Sequence, residues 1–142
     1  MTIKDYEMIY QLCEEHYDKT TLDHAKRVEN YVLSDCRYYF YNKEDKWFIR
    51  ALCLAHDLIE DTDITIDYLK TLNLPIDFIN ELIILTHDKN KMSYEEYVKW
   101  IANYGGRPLL VKCGDMKDHL KEFHTLTPSL KNRYSKVLKY LK

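Results

Sequence analysis

Helix breakers are scarce in this chain, with three glycines and three prolines among 142 residues. Those two residues end helices and shape tight turns, so their scarcity argues against a fold of many short strands and hairpins. No sustained alternating pattern is present either, which leaves an all-α fold. No stretch approaches the roughly 18 consecutive apolar residues of a membrane span. The opening, Met1-Thr2-Ile3-Lys4-Asp5, lacks the apolar run of a signal peptide. Absence of membrane association and a cytoplasmic location are the resulting expectations. Positive charge is not in surplus: the net charge is −2, which removes the electrostatic footprint of a nucleic-acid duplex binder. Cys13, Cys36, Cys53 and Cys113 form no CxxC pair, so neither a zinc knuckle nor a redox motif is indicated. They read as small core side chains.

What the chain does have is a globular balance, 46% hydrophobic and 31% charged residues. Residues 1–142 suit one domain with a single core. Tyrosine is abundant, at 13 residues, and suits core edges where the ring is dry and the hydroxyl wet. Apolar spacing predicts about seven or eight helices. The first runs from Ile3 to Tyr17. The second runs from Leu22 to Leu33, with His24 in its first turn. The third runs from about Lys46 to Leu58 and buries Phe48, Ala51, Leu52 and Ala55. Glu60 to Ile64 reads as a loop, followed by a short helix from Thr65 to Leu72. A helix beginning near Pro75 ends near Thr86. Ser93-Tyr94-Glu95-Glu96 is a capping-box pattern that starts another. Gly105-Gly106 breaks that helix, and Pro108 opens the next. Thr127-Pro128 starts the last.

Scattered along these helices are acids and histidines able to meet at one ion: His24, the pair His56-Asp57, and Asp115. Two imidazoles and two carboxylates can hold a divalent cation and leave positions for water and substrate. His56-Asp57 alone is weak, because a histidine at a helix end beside a solvated aspartate is common. The context strengthens it. An apolar helix ends in His56, Asp57, Glu60 and Asp61, and such crowding of carboxylates is costly without a cation or solvent.

The run Leu54-Ala55-His56-Asp57-Leu58-Ile59-Glu60-Asp61-Thr62-Asp63 resembles the signature of the HD-domain phosphohydrolases. It is especially similar to the branch containing RelA/SpoT-type guanosine tetra- and pentaphosphate, (p)ppGpp, 3′-pyrophosphohydrolases. Val111-Lys112-Cys113-Gly114-Asp115 matches the later motif, and His24-Ala25-Lys26-Arg27-Val28 the first histidine motif. Thr86-His87, Ser93 to Tyr97 and Arg133-Tyr134 extend the likeness from about Leu22 to Leu138. The resemblance implies an HD-type helical bundle with His24, His56, Asp57 and Asp115 as metal ligands. It implies a divalent metal, Mn²⁺ first, and Glu60 and Asp61 as the catalytic acids. Lys91, His119, Arg133 and Tyr134 fall near positions that meet substrate. Lys89 and Lys112 are further candidates for phosphate. His87 reads as a helix-end residue, and His16 and His124 as surface residues.

Two departures bear on the substrate. The stretch Tyr17-Asp18-Lys19-Thr20-Thr21-Leu22-Asp23 replaces an arginine-rich segment that helps hold guanine. Asp118-His119 stands where the family carries His-Asn. The expected activity is therefore metal-dependent hydrolysis of a nucleotide, with (p)ppGpp leading. The alternatives are another nucleotide phosphatase or phosphodiesterase of this fold, and a non-catalytic nucleotide-binding module. Self-association stays open.

Overall fold

Helix starts are written locally in this chain. Thr2, Asp18, Asn42, Thr65, Ser93 and Thr127 each accept a hydrogen bond from a backbone N–H three residues on. Each thereby satisfies one of the unpaired donors of a first helical turn. The structure, a computed structural model, describes residues 1–122 and 126–141; His124 lies outside the described residues. The caps open α1 (Ile3–His16), α2 (Lys19–Leu33), α3 (Lys43–Ala55), α5 (Ile66–Lys70), α7 (Tyr94–Tyr104) and α9 (Pro128–Val137). Between them lie a one-turn α4 (Leu58–Asp61), α6 (Ile76–Leu85) and α8 (Gly106–Lys121). Two 3₁₀ turns cover Cys36–Phe40 and Leu138–Tyr140. The described residues contain no strand.

The all-α expectation holds, and its boundaries shift for identifiable reasons. Capped by Asp18, α2 begins at Lys19, three residues before the expected start, so His24 sits in the second turn rather than the first. Asn42 likewise starts α3 early, and α3 stops at Ala55. Part of the expected loop after Glu60 is instead the end of α4, a turn of helix closed by Asp61 N–H donating to Asp57 O at 2.9 Å. Gly105 and Gly106 both have positive φ, which glycine adopts freely, and they turn α7 directly into α8 two residues before Pro108. The 3₁₀ turn at Cys36–Phe40 carried no periodicity to predict it.

One contiguous core joins the helices, with Ile9, Val28, Leu52, Phe78, Ile101 and Met116 fully enclosed. Central α2 packs on α3 and α8, α1 covers α3, and α6 and α7 cover α8. Cys13, Cys53 and Cys113 are buried free thiols, while Cys36 is exposed. Among the described residues no helix is long and apolar enough to cross a membrane.

The α2–α8 contact depends on Gly114. A Cβ there would lie 2.9 Å from Val32 Cγ2 and 3.2 Å from the Val28 carbonyl oxygen. Side chains can rotate away, but the α2 backbone cannot. Gly114→Ala should therefore push the helices apart and destabilise the protein by about 1–3 kcal/mol, the usual range for overpacking. Chemical denaturation measures this; an unchanged midpoint would show that α8 does not need the close approach.

Candidate metal centre

The close approach of α8 to α2 brings Asp115 and Asp118 beside His24. On α8, Lys112 and Asp118 lie three residues either side of Asp115 and His119 four beyond it, so all three neighbour Asp115 on one helix face. The C-terminus of α3 supplies the rest. Its last carbonyls have no helical partner. Leu54 O accepts from Tyr17 Oη at 2.6 Å, which ties the end of α1 to this corner. Cys53 O accepts from the His56 ring at 2.6 Å. Asp57 sits in the bridge region, φ −101° and ψ 2°, and its carboxylate is not used to cap α4. That carboxylate turns inward instead.

Distances define a common point. His24 Nε2 lies 3.0 Å from Asp115 Oδ1 and 3.6 Å from Asp57 Oδ2. His56 Nε2 lies 3.2 Å from Asp57 Oδ2 and 3.4 Å from Asp115 Oδ1. The outer nitrogens are already committed. His24 Nδ1 is 2.6 Å from Asp118 Oδ2, and His56 Nδ1 faces the Cys53 carbonyl. A carboxylate or carbonyl oxygen only accepts, so each Nδ1 carries a hydrogen, and His24 Nε2, 3.0 Å from Asp115 Oδ1, needs a proton or a cation between the two. Two imidazole nitrogens then face two carboxylates across about one ion's width. A cation or added protons must sit among them. His56 Nε2 is fully enclosed and has no hydrogen-bond partner, as a ligand atom awaiting a metal would be. Donor type, spacing and outer hydrogen bonds fit a divalent ion.

Electrostatics agree. Burial pushes the pKa of His24 down, but the hydrogen bond to Asp115 and the charges of Asp115 and Asp57 overcome it and raise it. Burial opposes the charged form of His56 too, yet the charge of Asp57 and its contacts to Asp115 hold its pKa well above normal. The centre therefore attracts positive charge. Asp115 is held well below the usual carboxylate range: burial disfavours the charge, but Lys112 and the surrounding imidazoles outweigh it. Lys112 Nζ lies 2.7 Å from Asp115 Oδ2, which engages it with this carboxylate.

Glu60 and Asp61, adjacent in sequence, separate in space. Glu60 lines a hollow of about 140 Å³ with Lys89, Tyr94, Arg133 and Tyr134. Asp61 lines a second hollow, of about 220 Å³, with Thr20, Thr21, Arg27 and Leu130. Asp57, His119 and Tyr134 border both. Glu60 Oε1 accepts from His87 N–H at 2.6 Å. Burial, then repulsion from Asp57, raise the pKa of both acids; for Glu60 the His87 hydrogen bond opposes the rise.

Among the residues expected to meet substrate, Arg133 and Tyr134 line the cleft. The Arg133 guanidinium lies 3.9 Å from the centre of the Tyr94 ring. His119 reaches inward to 3.0 Å from Asp115 Oδ1. Lys91 does not line either hollow. It borders a neighbouring groove with Ile66, Ile83 and Trp100, because the tight turn from Asp88 to Lys91 sends it outward, while Lys89 faces the cleft. His87 stacks on Tyr97 at 4.7 Å, and its Nε2 is engaged by Met92 O at 2.9 Å. His16 is exposed.

The residues that sequence reasoning missed are Asp118 and Arg27. Asp118 is 1% exposed and bridges His24 to Arg27, whose Nε donates to it at 2.8 Å. The available signal was spacing: Asp118 is one turn from Asp115, and Arg27 one turn from His24. Removing such an outer partner typically lowers metal affinity about 10–100-fold. Asp118→Asn should do so while retaining the helical circular dichroism of the wild type. Competition with a chromophoric chelator measures it, and equal affinity would show that His24 needs no carboxylate behind it.

No family model matches the chain, and no curated protein matches it. Among solved structures, a metazoan ortholog of SpoT, which hydrolyses ppGpp and plays a role in starvation responses, is similar in fold. The TM-score is 0.71 at 20% identity, covering 96% of this chain and 85% of that one. At that identity the likeness establishes a shared helical fold.

Proposed function

We propose that the protein is a cytoplasmic, metal-dependent phosphohydrolase that cleaves a phosphate ester or pyrophosphate from a nucleotide, with ppGpp as the leading substrate. The observation that carries the reading is the convergence of His24, His56, Asp57 and Asp115, with both Nδ1 atoms locked outward. The fold shared with a protein that hydrolyses ppGpp supports the substrate class. A divalent ion held there, Mn²⁺ being the first to test, supplies Lewis acidity toward a phosphoryl oxygen and acidifies water.

The chain's own groups do the rest. Glu60, with its raised pKa and one oxygen held by His87 N–H, takes the proton of the attacking water. Water oxygen bonds to phosphorus, the bond from phosphorus to the ribose oxygen breaks, and that oxygen takes up a proton. Asp61, on the opposite side of Asp57, is the acid suited to donate that proton from its own carboxyl, and Glu60 then releases the water proton to solvent while Asp61 regains one from it. Lys89 and Arg133 offer positive charge to the phosphates, Arg133 with the planar fork that matches them. Tyr134 offers a ring edge common to both hollows.

A second reading, hydrolysis of a different nucleotide, has a specific motive. The hollow beside Asp61 presents Thr20 and Thr21 in place of a basic segment, and its Arg27 is engaged by Asp118. A non-catalytic module is disfavoured, because all six metal-binding and acidic candidates are retained.

The test is a nucleotide panel with added Mn²⁺, read by product identity. Pyrophosphate and guanosine diphosphate from ppGpp support the first reading. Orthophosphate or a nucleoside monophosphate from another nucleotide supports the second. No turnover with the metal-loaded protein across the panel would sink both. On the best substrate, Glu60→Gln should keep its metal and lose about 10²- to 10⁴-fold in kcat. A wild-type rate would remove Glu60 from the chemistry.

A further inference from the structure

We propose that His119 is itself a metal ligand, acting with His24 and Asp115. The inference rests on the metal-centre reading above and deepens it. His119 follows Asp115 by one turn of α8, so the two side chains share a face. Its Nε2 is 3.0 Å from Asp115 Oδ1, the same separation that His24 Nε2 keeps from that oxygen.

Geometry decides what that spacing means. Two donors each about 2.0–2.2 Å from one ion lie about 2.8–3.1 Å apart at a right angle and about 3.3–3.6 Å apart at the tetrahedral angle. The five nitrogen–oxygen separations are 3.0, 3.0, 3.2, 3.4 and 3.6 Å, and all fall in or between those ranges. His24, Asp115 and His119 form one compact triple, and His24, His56 and Asp57 form another, each with its ligand atoms within 4.8 Å of one another. His24 belongs to both triples, and Asp115 Oδ1 also lies 3.4 Å from His56 Nε2. His24 therefore links the two triples, and His119 belongs to the one it forms with Asp115.

The ring is also held in place. It stacks on Tyr134 with centroids 4.9 Å apart and planes 21° apart, and it lies 4.7 Å from the His24 ring. A side chain meant only to meet a transient substrate has no need to be packed against the centre's own ligands. The consequence is chemical. Imidazole nitrogen favours borderline ions such as Fe²⁺, Co²⁺ and Zn²⁺, whereas carboxylate oxygen suits Mn²⁺. A third nitrogen tilts this centre toward the borderline ions.

Metal binding to the purified, metal-stripped full chain tests the assignment without any substrate. Wild type should take up one Co²⁺ per chain. His119→Asn exchanges the imidazole nitrogen for an amide, and should bind Co²⁺ and Zn²⁺ at least about tenfold more weakly, no less than losing an outer partner costs. Mn²⁺ affinity should fall by a smaller factor, and the visible absorption of bound Co²⁺ should shift as a nitrogen leaves. Should the variant fold poorly, proton NMR of the Co²⁺-loaded wild type gives an independent count: three shifted, exchangeable imidazole N–H signals for three ligands. Two such signals, or identical Co²⁺ affinity and spectrum in His119→Asn, would overturn the assignment. If His56→Asn nevertheless loses the ion, the metal centre stands and only His119 is excluded from it. If the wild type binds none of the three ions, the metal centre and this inference fail together.

Discussion

Burial of the Asp115 carboxylate, at 3% exposure in the middle of α8, is the constraint around which this protein is arranged. Removing an ion from water costs several kcal/mol, and compensation must come from close partners in good geometry. Lys112 takes one oxygen, and the imidazoles of His24, His56 and His119 crowd the other. Those rings come from three helical segments, so satisfying one carboxylate fixes the relative positions of α2, α8 and the end of α3. Gly114 makes the approach sterically feasible, one residue before the charge that requires it.

A second layer keeps the first from rearranging. Arg27 holds Asp118, Asp118 holds His24, and the unfinished carbonyl end of α3 holds His56. Tyr17 secures the neighbouring carbonyl from α1. The helix end that would otherwise carry unsatisfied acceptors becomes the support for the His56 ring. Preorganisation of this kind leaves His56 Nε2 facing inward with no hydrogen-bond partner, which is what a metal-binding cleft asks of a donor.

The centre also divides the cleft. Asp57 stands between Glu60 and Asp61, and its charge raises the pKa of both. Two neighbouring acids thus face two hollows, one with Lys89 and Arg133, the other with Thr20, Thr21 and Leu130. The two sides of the centre are chemically different: Lys89 and Arg133 bring positive charge to one, and Asp61, Asp118 and Glu122 gather with Arg27 on the other. That asymmetry is a property of the α3–α4 turn, since one turn of helix after Asp57 points successive side chains in different directions.

Helix content was legible in the sequence because breakers are few and caps act over three residues, so local chemistry suffices to start most of the helices. The spacing of His24, His56-Asp57 and Asp115 was legible too, as residue types suited to one ion. Boundaries at Asp18 and Asn42 were misread only because the cap lay before the first apolar residue of the pattern. The spacing of Asp118 and His119 from Asp115 placed them on its face, but the bridge from Asp118 to His24, the outward turn of Lys91 and the separation of Glu60 from Asp61 were not legible. Each depends on which helix faces which, a long-range matter that periodicity does not encode. The sequence by itself determined the helices and the donors. Only tertiary packing, by setting α8 against α2 at Gly114 and ending α3 beneath them, decided which donors meet, because burying a charge is tolerable only where several distant segments close around it.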